Sequence, residues 1–91
     1  MVKNLNVLRG KIDVLDKNMV SMLKNRFDIV KKVGEFKKKN NLPLCDRKRQ
    51  AEVLKMRVKQ GKASGLNERF VKNLYNLIFN EALIVQRGKN K

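Results

Sequence analysis

The sequence predicts an all-α protein of three helices per chain, one long and two shorter. Three observations carry that prediction. From Leu5 to Phe36 apolar side chains return at alternating steps of three and four, the period of a helix packed on other helices. No stretch shows the period-two alternation of a strand. The breaks fall where turn chemistry concentrates, at "NNLP" and "ASGLN".

The stripe of the first helix is Leu5, Leu8, Ile12, Leu15, Met19, Met22, then Ile29, Val33 and Phe36, with Arg26 in the one seam position left over. Asn40, Asn41 and Pro43 end it, because the residue before a proline is pushed out of helical geometry. The second helix is expected to start from Asp46 as N-cap and to run through "RKRQAEVLKMRVKQ" to Gly61, with Ala51, Leu54 and Val58 facing inward. The third follows Asn67 as cap, with Glu68 complementing the helix dipole. Val71, Leu74, Tyr75, Ile78, Ala82 and Val85 form its expected buried face. Residues 4–87 make up the expected helical core of a single domain spanning 1–91, and 88–91 a basic tail.

A first helix of this length spans roughly 50 Å, against a radius of gyration of about 12–13 Å for a compact chain of this size. Two shorter helices of the same chain do not cover such a rod, so a coiled-coil-like dimer is expected.

Lys and Arg number 23 against 8 acids, a formal charge of +15, which points to an anionic partner without choosing its class. Histidine is absent and Cys45 is the single cysteine. That composition leaves no ligand set for a His/Cys metal site and no Ser-His or Cys-His pair. No metal or cofactor is expected, and any catalysis must work without a nucleophile. With no apolar N-terminal run, no membrane-length window and no disulfide pair, a cytoplasmic protein off the membrane is expected.

Three polar side chains interrupt the apolar faces. Arg26 and Lys37 lie within about 20° of each other around the first helix and roughly 16 Å apart along it. Two long side chains can close that distance on a shared small ligand. Gln86 follows Ala82 by one turn on the inner face of the third helix. Each has a plainer reading: a register-setting or snorkelling arginine, a solvated lysine, an exposed terminal glutamine. Together they suggest a lined cavity. Gly34, costly by about 1 kcal/mol inside a helix, reads either as close helix packing or as room for a ligand. Arg9 is about 25 Å from Arg26 along the axis, so only an antiparallel second copy would bring it to the same ligand.

"LRGKIDVLD" at 8–16, Arg26, "VGEFK" at 33–37, "PLCDRKRQ" at 43–50 and Gln86, in this order and spacing, resemble the all-helical chorismate mutase family in its small bacterial and archaeal form. The resemblance implies an intertwined helical homodimer in which each site borrows Arg9 from the other chain. It also implies the rearrangement of chorismate to prephenate, on the route to phenylalanine and tyrosine. By that likeness, Arg9 and Arg26 hold the substrate carboxylates, and Lys37 and Gln86 donate to the ether oxygen. Asp46, mainly through its backbone, and Gln50 hold the ring hydroxyl, while Arg49 adds positive field. Such a unimolecular reaction needs fixed cationic donors and no acid, base or metal.

Two positions depart from the family pattern. Gln50 stands where Glu is usual, and Ala82 where many members carry a small hydroxyl residue near a carboxylate. They leave open two related activities on the same scaffold, pyruvate elimination from isochorismate and mutase action on an amino analogue of chorismate. A reading of another class is a basic helical nucleic-acid binder, motivated by the charge and by runs such as "KKKNN" and "DRKRQ". Against it, there is no aromatic stacking platform and the first helix is too long for a helix-turn-helix unit. Only nonspecific association with nucleic acid is expected.

Overall fold

A computed structural model describes residues 4–88, which form three α-helices and no strand: α1 (Leu5–Lys39), α2 (Arg47–Ala63) and α3 (Glu68–Arg87). Of the expected basic tail, Gly88 caps α3 and residues 89–91 lie outside the described residues.

Each helix start has a side-chain oxygen on an otherwise orphaned backbone N–H. The Asn4 Oδ1 accepts from Val7 N at 2.9 Å, Asp46 Oδ1 from Arg49 N at 3.0 Å and Asn67 Oδ1 from Phe70 N at 2.9 Å. At the end of α1 the chain turns through Asn41 in the left-handed region (φ 58°), where asparagine is tolerated. Leu42 N then donates to Lys37 O at 2.8 Å and Asn41 N to Lys38 O at 3.3 Å, a Schellman closure. α2 runs to Ala63, past the expected stop at Gly61. In the first turn of α3, Glu68 sits 3.3 Å from Lys72 and 3.6 Å from Lys62. The Lys72 hydrogen bond and charge, and then Lys62, hold its carboxyl below the ordinary value.

α3 is the element against which both others pack; among the described residues α1 and α2 make no comparable contact with each other. Two glycines set those approaches. A Cβ on Gly34 would stand 2.8 Å from Gln86 Cα, and one on Gly61 would stand 2.8 Å from Val71 Cγ2. Of the two readings of Gly34, the close approach of α1 and α3 accounts for it. Lys38 ties the two C-terminal ends by donating from Nζ to Arg87 O at 3.3 Å.

The core is small and belongs to α3: Val71, Ile78, Phe79, Ala82 and Val85. Leu74, expected inside, is exposed, and Tyr75 is half-buried. Phe79 takes the inner place instead, its ring 6.0 Å from that of Tyr75. On α2 the expected Ala51 is exposed, while Gln50, Val53, Leu54, Arg57 and Val58 are half-buried and Gly61 is buried. Their spacing is that of one helical face. That face carries two polar residues, so a search for apolar side chains alone misplaces it.

The N-terminal half of α1 runs past the other helices. Leu5, Leu8, Ile12, Leu15, Met19 and Met22 are 41–70% exposed. The molecule measures 59 × 28 × 15 Å with a radius of gyration of 16.7 Å, against about 12 Å for a compact chain of this length. Its accessible surface is 7758 Å², where a compact chain of 10.6 kDa shows about 5,500 Å². No helix among the described residues is long and apolar enough to cross a membrane.

Candidate functional site

Because α1 and α2 flank α3 without closing on each other, a cavity of about 180 Å³ stays open between them. From α1 it takes Arg26, Val30, Val33 and Lys37. The connection and α2 supply Leu44, Asp46, Arg49, Gln50 and Val53, and α3 supplies Phe79, Ala82 and Gln86. All the expected site residues line this cavity except Arg9, which is exposed on the far half of α1.

Arg26 is half-buried, and its Nη1 is shut off from solvent without a hydrogen-bond partner among the described residues. An unmet donor on a charged group costs more than the roughly 1–3 kcal/mol of a neutral one. Gln86 is in the same position: its Oε1 is buried and unpartnered. Nothing fixes the rotation of that amide, so either its oxygen or its NH2 can face a ligand. These are the two buried side-chain polar atoms without partners among the described residues, and both residues line one cavity.

Lys37 reaches the cavity from the last turns of α1. Its Nζ donates to Leu44 O at 3.0 Å, which fixes the ammonium and leaves two further donors. The turn at Asn41 makes this possible by folding the connection back over α1. Asp46 has its carboxylate engaged by Arg49 N, so its side chain serves the start of α2. The Arg49 guanidinium is exposed at the rim, 3.6 Å from Glu52. Gln50 is half-buried, and Ala82, which is buried, brings no polar side-chain atom.

Reading the sequence for polar exceptions did not find the apolar walls. Val30, Val53 and Phe79 complete the lining, and Val33 turns from the α1 seam into the cavity. Beyond Arg26 and Arg49 the groove continues to Val53, Met56, Arg57 and Tyr75, another 210 Å³. Arg57 was legible only as a surface charge; its partner is Gln60 Oε1 at 2.7 Å. A roomier groove of 530 Å³ on another face of α1 and α3 holds Lys24 and Asp28, already paired at 2.7 Å. It contains no buried unpartnered side-chain atom among the described residues.

The cavity therefore presents cations and amides on apolar walls. Such a lining can bind an anion, exclude water around it and stabilise negative charge where it develops.

Comparison with known proteins bears on which anion. Residues 8–87 match the family described as Chorismate mutase type II. The bifunctional chorismate mutase/prephenate dehydratase of Buchnera aphidicola subsp. Schizaphis graminum is 34% identical over 79 residues, covering 87% of this chain and 20% of that protein. The T-protein of Enterobacter agglomerans is 30% identical over 89 residues, 98% of this chain and 24% of its own length. A 4-amino-4-deoxychorismate mutase of Streptomyces pristinaespiralis is 27% identical over 77 residues, 85% of this chain and 60% of its own length. The chain thus spans a fifth to a quarter of the length of the first two of these relatives.

Proposed function

The chain belongs to the chorismate mutase type II family, and we propose on that premise that it rearranges chorismate to prephenate in a site shared between two copies. The observation that carries the reading is the pair of buried polar atoms without partners among the described residues, Arg26 Nη1 and Gln86 Oε1, whose residues line one cavity with Lys37. A dicarboxylate with an ether oxygen meets those needs: a carboxylate supplies Arg26 with its counter-charge, and the ether oxygen accepts from Lys37 and from the Gln86 NH2 after an amide flip.

In the rearrangement the ether C–O bond breaks as a C–C bond forms within one molecule. No proton moves, and negative charge grows on the ether oxygen. Lys37 is suited to that oxygen because the Leu44 carbonyl already holds its Nζ in place, so little reorganisation accompanies the reaction. Val30, Val33, Val53 and Phe79 keep the surroundings apolar, which strengthens each charged contact. Gln50 and the Asp46 backbone take the ring hydroxyl, and Arg49 at the rim adds positive field.

Arg9 completes the site from the second copy. The long exposed stripe of α1 and an accessible surface some 2,000 Å² above that of a compact chain support this part of the reading, because an obligate interface buries area of about that order. Paired along their seams, two antiparallel α1 helices bring Arg9 of one near Arg26 of the other. A chorismate-depletion assay tests the function. Wild type should consume chorismate and Lys37→Ala should be slower by about 100- to 1,000-fold at unchanged helicity. Equal rates in the two proteins would remove Lys37 from the reaction, and no consumption by wild type would overturn the activity.

A further inference from the structure

We infer that the groove beyond the cavity docks the second copy through an ion pair between Arg57 of one chain and Asp13 of the other. The pair holds the incoming α1 in the register that brings its Arg9 to Arg26. The inference rests on the shared-site reading above and adds the contact that assembles it.

The groove leads away from the cavity toward the N-terminal half of α1. The cavity reaches Arg26 on α1, Val53 on α2 and Phe79 on α3, and the groove adds Met56 and Arg57 on α2 and Tyr75 on α3. Its charged lining is Arg26, Arg49 and Arg57, with no acid among the described residues that form it. Arg57 is half-buried, and Gln60 Oε1 at 2.7 Å takes one of its five donors. Past it lies a hollow of about 240 Å³ walled by Leu66, Phe70, Val71 and Leu74, in which Arg57 is the one charged lining residue. An acid from a docked helix therefore fits this surface at Arg57 and not farther on.

A second α1 supplies that acid. Asp13 and Asp16 are the acids of the N-terminal half of α1, both exposed and in no ion pair among the described residues. An antiparallel copy with its Arg9 opposite Arg26 has its Asp13 opposite Met22, about one turn farther along the groove. Asp13 lies about 6 Å beyond Arg9 and about 40° farther from the apolar seam, so a pose that points Arg9 into the cavity carries Asp13 to the stretch where Arg57 stands. Asp16 lies about 10 Å beyond Arg9 and about 20° back toward the seam, inside the helix pairing. Charge demands the contact as well. Arg9 arriving here joins Arg26, Arg49 and Arg57, and like charges so close repel. Asp13 travels with Arg9 on the same face and offsets that repulsion. Two-fold symmetry makes the pair twice in each dimer.

Dimer dissociation constants from sedimentation equilibrium, on wild type, Arg57→Asp, Asp13→Arg and the chain carrying both changes, test this. Each single reversal sets like charges against each other and should raise the constant by about 100-fold or more. The chain with both changes should return to within about tenfold of wild type. Single variants that dimerise like wild type, or a double variant no better than the worse single one, overturn the inference while a dimeric wild type keeps the shared site. Recovery of Arg57→Asp by Asp16→Arg in place of Asp13→Arg overturns it too. A wild type that stays monomeric overturns both. If a reversed variant does not fold, Arg57→Gln and Asp13→Asn complete the same cycle: a double variant no weaker than either single one supports the pair, and losses that add overturn it.

Discussion

A guanidinium nitrogen shut off from water without a partner works against folding, and Arg26 Nη1 has none among the described residues to offset its desolvation. Replacing such a group by an apolar side chain of similar length is often neutral or stabilising. Arg26→Met should therefore melt at the same temperature as wild type or higher, while prephenate formation falls by at least about 100-fold. A melt followed by circular dichroism, run beside the activity assay, separates the two effects. A variant that loses stability and keeps its rate would make Arg26 a structural residue. At this scale the sequence was most informative where it broke its own pattern. Arg26, Lys37 and Gln86 stood out as polar residues on apolar faces, and all three line one cavity. Val30, Val53 and Phe79 break no pattern, so nothing marked them as walls of a site. Arg57 resembles every other lysine and arginine of a strongly basic chain until its neighbours are known.

The helix caps expected at Asp46 and Asn67 each hold a backbone N–H, and the long helix stops at the asparagine pair before Pro43. Asn4 does the same for α1 without having been read as a cap, and α2 runs two residues past its expected end. What periodicity missed is the inward face of α2, because Gln50 and Arg57 share it with the apolar residues. The crossing of α1 on α3 was also undecided, since Gly34 fitted either packing or ligand space. Its ideal Cβ would lie 2.8 Å from Gln86 Cα and 2.9 Å from Gln86 Cβ. Backbone on the far side cannot swing away as a flexible side chain can. Gly34→Ala should thus lose stability by about 1–3 kcal/mol from overpacking, in spite of the roughly 1 kcal/mol that alanine gains in a helix. Urea denaturation at fixed protein concentration measures it. A more stable Gly34→Ala would mean that the helices part at no cost.

At the scale of the molecule, the length of α1 was legible as a problem one chain does not solve. The exposed seam and the elongated shape are its structural expression. Which surface covers that seam depends on pairing between chains, and a pattern within one chain carries no such information. In the proposed dimer Arg9 is delivered across the two-fold axis, so Arg9→Ala and Arg26→Ala each empty a different corner of the same shared site. Mixing the two inactive variants after unfolding, refolding them together and assaying chorismate consumption tests this sharing most directly. Random pairing makes about half the dimers mixed, and each mixed dimer holds one site with both arginines. A site built from two chains predicts recovery of about a quarter of the wild-type rate. No recovery, with mixed dimers shown to be present by mass, would contradict it.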